Sequence, residues 1–325
     1  MSTFRWGIIG TGGIAQTFAE DLKRLDGHVV AAVGSRTLTS AQNFAKQFSD
    51  AVAYGSYEEL VAADVDAVYV ATPHPMHYEN TLLAMRAGKP VLCEKAFTVN
   101  AKEARALVAF AQEQKIPLME AMWSRFLPHM QLVKEIVSSG VLGEITNIVA
   151  DHGQFIPYER AARLWEPELG GGALLDLGIY PLTLAHLILG SPISIHAEAT
   201  LTEKKVDLNT SMMLRYASGA HALLSCTMAS RGSVSAMIVG DRARIEIDGS
   251  FYAPTSFRVI TRDGEVTEYP NKYEGHGLRE EAAEFARVVR SGEIESPLMQ
   301  HSTSIELMEM MDSIRAQIGV KYPNE

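Results

Sequence analysis

Phe4-Arg5-Trp6-Gly7-Ile8-Ile9-Gly10-Thr11-Gly12-Gly13-Ile14-Ala15 opens the chain, and its reading decides the fold. Phe4 to Ile9 is an apolar run of strand length that passes without a linker into a glycine-rich turn. The next segment carries Ile14, Phe18, Leu22 and Leu25 at spacings of four, four and three, the period of a helix with one face against a sheet. Strand, G-x-G-x-x-A turn and amphipathic helix in this order predict a dinucleotide-binding unit. Gly10 permits the tight turn, Gly12 lets the backbone approach a pyrophosphate, and the small Ala15 allows close helix packing. Gly13 and Ile14 open the helix, whose free N–H groups and positive dipole end suit phosphate.

Outward from this turn, the pattern repeats. Val29 to Gly34, Val52 to Tyr54, Ala67 to Ala71, Pro90 to Cys93 and Leu118 to Ala121 are short apolar runs separated by segments of helical length. Ser56 with Glu59, and Asn100 with Glu103, have the spacing of helix capping boxes. The alternation predicts an α/β Rossmann domain, a doubly wound parallel sheet, over residues 1–122. After Trp123 the texture changes. Helical stretches at Pro128 to Ser139 and Leu174 to Leu189 bracket one strand near Glu144 to Phe155. Strand-like runs then follow one another from Ile193 to Tyr269, with Gly-containing breaks at Ala217-Ser218-Gly219 and Arg262-Asp263-Gly264. Helices near Leu278 to Ser291 and Ser302 to Ile318 close the chain. Residues 123–325 are therefore expected to form one α+β domain with a large, mostly antiparallel open sheet.

The chain has 325 residues, 47% of them hydrophobic, and a net charge of -10. That size suits two domains, and the acidic balance with no Lys/Arg stripe argues against a nucleic-acid partner. The two cysteines, Cys93 and Cys226, each lie in an apolar segment, as buried free thiols in a reducing compartment would. No apolar signal region precedes the first strand, and no uncharged stretch reads as long enough to span a bilayer. A cytoplasmic protein without a membrane partner is expected.

The end of the second strand bears on the choice of dinucleotide. An NAD-specific chain would place a carboxylate there for the adenine ribose, whereas this one has Gly34-Ser35-Arg36-Thr37. Ser35 and Thr37 can donate hydrogen bonds and Arg36 can grip a 2′-phosphate, so NADP(H) is preferred, with NAD(H) as the alternative. Arg36 also reads simply as a solvated loop residue. Ala71-Thr72-Pro73-His74-Pro75-Met76-His77 forms a stiff loop after the fourth strand that can line the nicotinamide half of the site. His77 reads as a cofactor-loop or helix-start residue, and no third ligand at suitable spacing supports a metal.

Glu94-Lys95 ends the fifth strand-like run, on the side of an open parallel sheet where ligands bind. In the second half, Gly170-Gly171-Gly172-Ala173-Leu174-Leu175-Asp176-Leu177-Gly178-Ile179-Tyr180 stands out. Three glycines permit close backbone approach, and Asp176 and Tyr180 are four apart on a predicted helix. An ammonium, a phenol and a carboxylate suffice for a carbonyl/alcohol redox reaction, in which the protein moves one proton and stabilises charge on oxygen. Lys95 and Tyr180 take those roles in this reading, and Asp176 either orients Tyr180 or holds a substrate hydroxyl. Trp123, Phe155, Tyr158 and Trp165 offer flat apolar surfaces for a sugar ring or alicyclic diol, or else fill the core.

Gly10 to Ala15, Ser35-Arg36, Thr72-Pro73 with His77, Glu94-Lys95, Glu120-Ala121-Met122-Trp123-Ser124-Arg125-Phe126 and Gly170 to Tyr180 together make the chain resemble the Gfo/Idh/MocA oxidoreductase family along essentially its whole length. Within the family it is similar to the dihydrodiol dehydrogenase, xylose dehydrogenase and glucose-fructose oxidoreductase branch. The resemblance implies Lys95 as the catalytic lysine, Tyr180 at a position that many relatives fill with His, and Asp176 as a substrate-positioning group. Glu94 and Lys95 join the cofactor-binding set, and Trp123, Arg125, Phe155 and Trp165 line the substrate side. It further implies a homodimer through the C-terminal sheet. Relatives commonly have Glu-Lys-Pro where this chain has Glu94-Lys95-Ala96. An NADP-dependent sugar, polyol or diol dehydrogenase/reductase is the leading expectation. The alternatives are a glycosidase using tightly bound NAD and a nonenzymatic sensor of NADP(H) or sugar.

Overall fold

β1 (Phe4–Ile9) runs directly into the glycine turn and α1 (Gly13–Leu22). β2 (His28–Gly34), α2 (Leu38–Ala45), β3 (Val52–Tyr54), α3 (Tyr57–Val61), β4 (Ala67–Val70), α4 (His77–Arg86), β5 (Val91–Glu94), α5 (Ala101–Gln114) and β6 (Leu118–Ala121) follow in turn. The six strands form one sheet in the order β3-β2-β1-β4-β5-β6, and every neighbouring pair is parallel. The order reverses between β1 and β4, where strand carboxyl ends leave a crevice for a ligand. Helices cover both faces of such a sheet, so Ile8, Val68, Leu92 and Leu118 are all fully buried and the strands read as continuous apolar runs. Ser56 and Asn100 cap α3 and α5, accepting from Glu59 N at 3.2 Å and Glu103 N at 2.9 Å. Their carboxylate partners reach one residue further back than a capping box does, to the amides of Gly55 at 3.1 Å and Val99 at 3.4 Å.

The computed structural model describes residues 2–323. The chain divides into two units, residues 1–126 with 275–305 and residues 127–274 with 306–325. In the second, α6 (Pro128–Ser138), β7 (Ile145–Gly153) and α7 (Ile179–Leu189) precede β8 (Ser194–Leu201), β9 (Asp207–Arg215), β10 (His221–Thr227), β11 (Ala236–Gly240), β12 (Ala243–Ile247), β13 (Phe257–Thr261) and β14 (Val266–Tyr269). These eight strands form a sheet in the order β14-β13-β12-β11-β7-β10-β9-β8. Only β7 and β10 pair in parallel. A parallel pair needs a crossover, which the chain between β7 and β10, including α7, supplies. One face of the sheet is buried through Ile148, Ala150, Leu224, Leu214, Ile238 and Ile245. On the other face Met237, Val149, Leu223 and Met213 are successive register neighbours across four strands.

α7 lies against β7 and β10 and is buried from Ile179 through Ala185. The stretch Pro167–Leu189 is long and apolar enough to cross a membrane by length and composition, contrary to the sequence reading, and 72% of its most apolar window is buried in the structure. A helix that is apolar all round and buried belongs to a core.

A single boundary at 122/123 does not describe the division, because α8 (Leu278–Ser291) belongs with the first unit. The cause is an unanticipated cap. Gly277, at the N-cap of α8, has no side chain to offer. Asp21 of α1 accepts instead from the N–H groups of His276, Gly277 and Leu278 at 3.0, 2.7 and 2.8 Å, and its carboxylate suits the positive end of the helix. Asp21→Ala, which strands three amides at a buried site, is expected to lower the unfolding free energy by about 2 kcal/mol or more in urea denaturation, and Asp21→Asn to recover part of that loss.

Candidate active site

The cofactor half begins where β1 meets β4. Gly10 has φ +107°, and a Cβ there would lie 2.7 Å from the Ala71 carbonyl oxygen, so only glycine fits. A Cβ on Gly12 or Gly13 would meet nothing within 4 Å. No side chain caps α1 and its first turn holds no acid, so its leading amides face open space of the kind a pyrophosphate fills. At the end of β2, Ser35 is buried and Arg36 exposed. Thr37, expected to touch the dinucleotide, is the N-cap of α2, accepting from Ser40 N at 3.3 Å and donating to Ser40 Oγ at 2.8 Å.

Thr72 and Pro73 leave β4 beside Gly10, and Pro73 is exposed. His77 is not exposed with them. It is 1% exposed, with Nε2 2.7 Å from the Thr72 carbonyl oxygen and Nδ1 2.9 Å from that of Ala96. Burial pulls its pKa down to about 4 against the two carbonyls, which favour the charged ring, so the neutral imidazole has one N–H to donate to one of them at a time, and His77 is the first residue of α4, as the sequence allowed.

The loop that His77 holds carries Lys95. Three buried side chains fix this backbone. Glu94, 3% exposed, accepts from Lys95 N at 3.1 Å and from the Tyr69 hydroxyl. His77 takes the Ala96 carbonyl, and Glu120 accepts from Phe97 N at 3.1 Å. Glu94, expected among the cofactor contacts, anchors the Lys95 backbone. The Lys95–Ala96 peptide is cis. Lys95 itself is half-buried. Burial lifts Glu120 to about 7, opposed by its bonds to Ser304 and Phe97 and by the Arg125 charge. Arg125, expected on the substrate side, is 7% exposed and donates to the Leu298 carbonyl at 3.0 Å, and burial lowers its pKa to about 10. Trp123 is buried with its ring 5.2 Å from that of His276. Both tie the first unit together internally.

In the second unit the three glycines allow a close approach around Asp207, which the sequence reading missed. A Cβ on Gly172 would stand 2.1 Å from Asp207 Oδ1, and one on Gly171 2.7 Å from the Leu164 carbonyl oxygen. Asp207 is fully buried and accepts from Leu174 N at 2.7 Å and Thr210 Oγ1 at 2.8 Å. Burial raises it to about 7 even though those donors favour the carboxylate. From Leu174 to Gly178 the expected α-helix is a wider π turn. Pro181 explains it. Proline has no N–H for the carbonyl four residues back, and its ring crowds that carbonyl. The freed Leu177 oxygen is met by the buried His152 Nδ1 at 3.1 Å.

His152 does more than close that gap. Its ring centroid lies 5.3 Å from that of Tyr180 and 4.4 Å from that of Tyr252, and Tyr180 and Tyr252 are 4.4 Å apart. Gln154 Nε2 lies 2.9 Å from His152 Nε2 and donates to the Tyr252 hydroxyl at 3.3 Å. Tyr180, 6% exposed, is therefore held in an aromatic clamp. Asp176 pairs with Arg163 at 3.2 Å, a partner the sequence did not suggest. Of the expected aromatic surfaces, Phe155 is 60% exposed. Trp165 is half-buried and donates to the Ile156 carbonyl at 3.2 Å. Tyr158 is committed to Glu166 at 3.1 Å. His152 carried one signal, as a polar residue in the inward phase of an alternating strand. Asp207, Arg163 and Tyr252 carried none.

Residues 4–122 match the model of an oxidoreductase family with an NAD-binding Rossmann fold, and residues 130–246 match the GFO/IDH/MocA C-terminal domain. The NADP-dependent D-xylose 1-dehydrogenase of Hypocrea jecorina is 35% identical over 99% of this chain and 93% of its own. The trans-1,2-dihydrobenzene-1,2-diol dehydrogenase of Mus musculus is 37% identical over 99% and 98%. Among solved structures, the 3-ketoreductase KijD10 of Actinomadura kijaniata, in complex with NADP and TDP-benzene, superposes with a TM-score of 0.87 at 28% identity and covers 99% of both chains. The six-stranded parallel sheet and the larger, mostly antiparallel one agree with these matches, and the chain belongs to the Gfo/Idh/MocA family as an NAD(P)-dependent oxidoreductase.

Proposed function

We propose that the protein moves a hydride between NADP and a hydroxyl or carbonyl carbon of a sugar or trans-diol, with Tyr180 as general acid/base and Lys95 stabilising charge on the reacting oxygen. The observation that carries this reading is the anchoring of the Lys95 backbone by Glu94, His77 and Glu120 at the carboxyl end of β5. A flexible lysine aimed from a fixed backbone is the preorganised charge such a reaction uses. When bound, the nicotinamide supplies or accepts the hydride. The Gly10 turn and the N-terminus of α1 would hold its pyrophosphate, with Pro73 and Thr72 beside them.

Tyr180 takes the hydroxyl proton during oxidation and returns it during reduction, and its ring stays in register because His152 and Tyr252 flank it. Free tyrosine loses its proton near pH 10, so the Lys95 ammonium is assigned the task of favouring the phenolate. Asp176, steadied by Arg163, is left to hold a second substrate hydroxyl. Phe155 and Trp165 offer the ring-sized apolar surface. Xylose and dihydrodiol dehydrogenases as relatives support the substrate class, and the NADP of the xylose enzyme and of KijD10 supports the cofactor. The buried free thiols Cys93 and Cys226 favour a cytoplasmic setting.

We also propose that a second copy covers the outer face of the eight-stranded sheet. The row Met237, Val149, Leu223 and Met213 lines a groove there, with Met213 47% and Leu223 48% exposed. The Glu246–Arg258 ion pair and the exposed His196 and Glu198 continue the groove to either side. An apolar centre with a polar rim is what a self-complementary interface presents.

Steady-state reduction of NADP, with NAD in parallel, over aldopentoses, aldohexoses and trans-cyclohexanediols tests the activity. Turnover with one class names the substrate, whereas purification with NAD permanently bound, or tight NADPH binding without turnover, points to the glycosidase or the sensor. Tyr180→Phe keeps the ring in its clamp, and a kcat lower by about 100-fold or more with NADPH affinity little changed is expected. Wild-type turnover in that variant ends the proton assignment. Arg36→Ala is expected to raise KM for NADP by about tenfold to a hundredfold while leaving KM for NAD unmoved. Leu223→Asp should convert a dimer to a monomer in sedimentation velocity, and an unchanged sedimentation coefficient counts against this face.

A further inference from the structure

Four acids are buried near one another in the first unit: Asp21 in α1, Glu94 at the end of β5, Glu120 in β6 and Glu281 in α8, with Glu94 and Glu120 bonded to the Lys95 loop. All four are buried, Asp21 at 4%, Glu94 at 3%, Glu120 at 2% and Glu281 at 0% exposure. Their charges act on one another, and Glu281 responds most to Glu94, then to Asp21 and Glu120. Tyr69 joins the group through its hydroxyl on Glu94, and the Arg125 guanidinium faces Glu120. The nearby cations serve other members, Arg24 and Arg279 lying near Asp21 and Arg125 facing Glu120, whereas Glu281 feels the three other acids, and burial so close to like charges favours a proton on one of the four.

Hydrogen bonds say where a proton goes. Asp21 accepts from three backbone amides, Glu94 from the Tyr69 hydroxyl and Lys95 N, and Glu120 from Phe97 N. Glu281 has neither of its oxygens bonded, and both are buried. A carboxylate is stabilised by donors and penalised by burial without them. We propose that Glu281 holds a proton in the folded protein at neutral and mildly alkaline pH, and that this proton leaves Glu94 as the carboxylate on which Lys95 N and the Tyr69 hydroxyl hang. Burial and the three neighbouring acids raise Glu281 well above the ordinary carboxyl range, in agreement. Glu281 is thereby a positioning residue for the Lys95 backbone, and the assignment of its proton stands whatever substrate the enzyme takes.

Linkage fixes the sign of the effect. A carboxyl whose pKa is raised on folding favours the folded state fully at pH below its unfolded value, about 4.3. That contribution is lost as pH rises toward the raised folded value, by about tenfold in the folding equilibrium constant per pH unit. Glu281→Gln mimics the neutral acid and has no proton to lose. Its stability relative to wild type in urea denaturation should therefore climb by about tenfold per pH unit through neutral and mildly alkaline pH. Comparison between the two proteins cancels the titration of Glu120 near 7. A pH-independent difference, or one that falls as pH rises, overturns the proposal, because Glu281 would then be ionised in the fold. Infrared difference spectra locate the proton directly. A protonated-carboxyl C=O band at mildly alkaline pH that is present in wild type and loses intensity in Glu281→Gln is expected, the remainder belonging to Glu120 and Asp207. Its absence from wild type, or an undiminished band in Glu281→Gln, overturns the assignment.

Discussion

A lysine side chain is too flexible to aim itself, and the backbone that carries Lys95 leaves its strand with polar groups turned into the protein. Each such group must find a partner or cost stability. Glu94, His77 and Glu120 meet that demand from three different elements, β5, α4 and β6. The rest of the first unit is arranged to tolerate them. Tyr69 reaches up from β4 to Glu94, Arg125 stands against Glu120, and Asp21 spends its charge on the amides that open α8. Burying carboxylates is expensive, and donors supplied by backbone amides make it bearable because they are already fixed.

The second unit solves a similar problem with a different device. Pro181 sits where an α-helix would need an N–H, and the helix opens into a π turn just ahead of Tyr180. His152 accepts the consequence by taking the Leu177 carbonyl. The same imidazole then forms one wall of the Tyr180 clamp. Asp207 plays the matching part at the start of the segment, holding Leu174 N below the glycines. Both residues act on the backbone before Tyr180, so the phenol is placed from two directions by buried polar groups.

Much of this was legible in the sequence, and for physical reasons. β1, β3 and β6 were readable to the residue, β1 and β6 because buried strands are short apolar runs bounded by turn residues. Gly10 announced itself because no other residue survives at φ +107° against the Ala71 carbonyl. What escaped were partnerships across long separations. Nothing local links Asp21 to Gly277, Asp176 to Arg163, or Asp207 to Leu174, and each of these is a side chain satisfying a distant group. The same blindness hid the protein partners of Thr37, Glu94, Arg125 and His77, side chains whose types fit ligand contacts and which the fold sets against backbone amides, carbonyls and a neighbouring serine.

The single parallel pairing in the large sheet bears on how the tyrosine clamp comes to exist at all. β8, β9 and β10 form one meander and β11 through β14 another, each closed by neighbours in sequence. Apart from β7 the two meanders share no strand pairing, and β7 precedes both in the chain: Asn147 pairs with His221 on one side and Val239 on the other. Local hairpins close small loops at little entropic cost, whereas inserting β7 must close long ones. β7 is therefore the keystone through which the two arcs become one sheet. Because it carries His152, the wall beside Tyr180 rests on the strand that joins the two arcs.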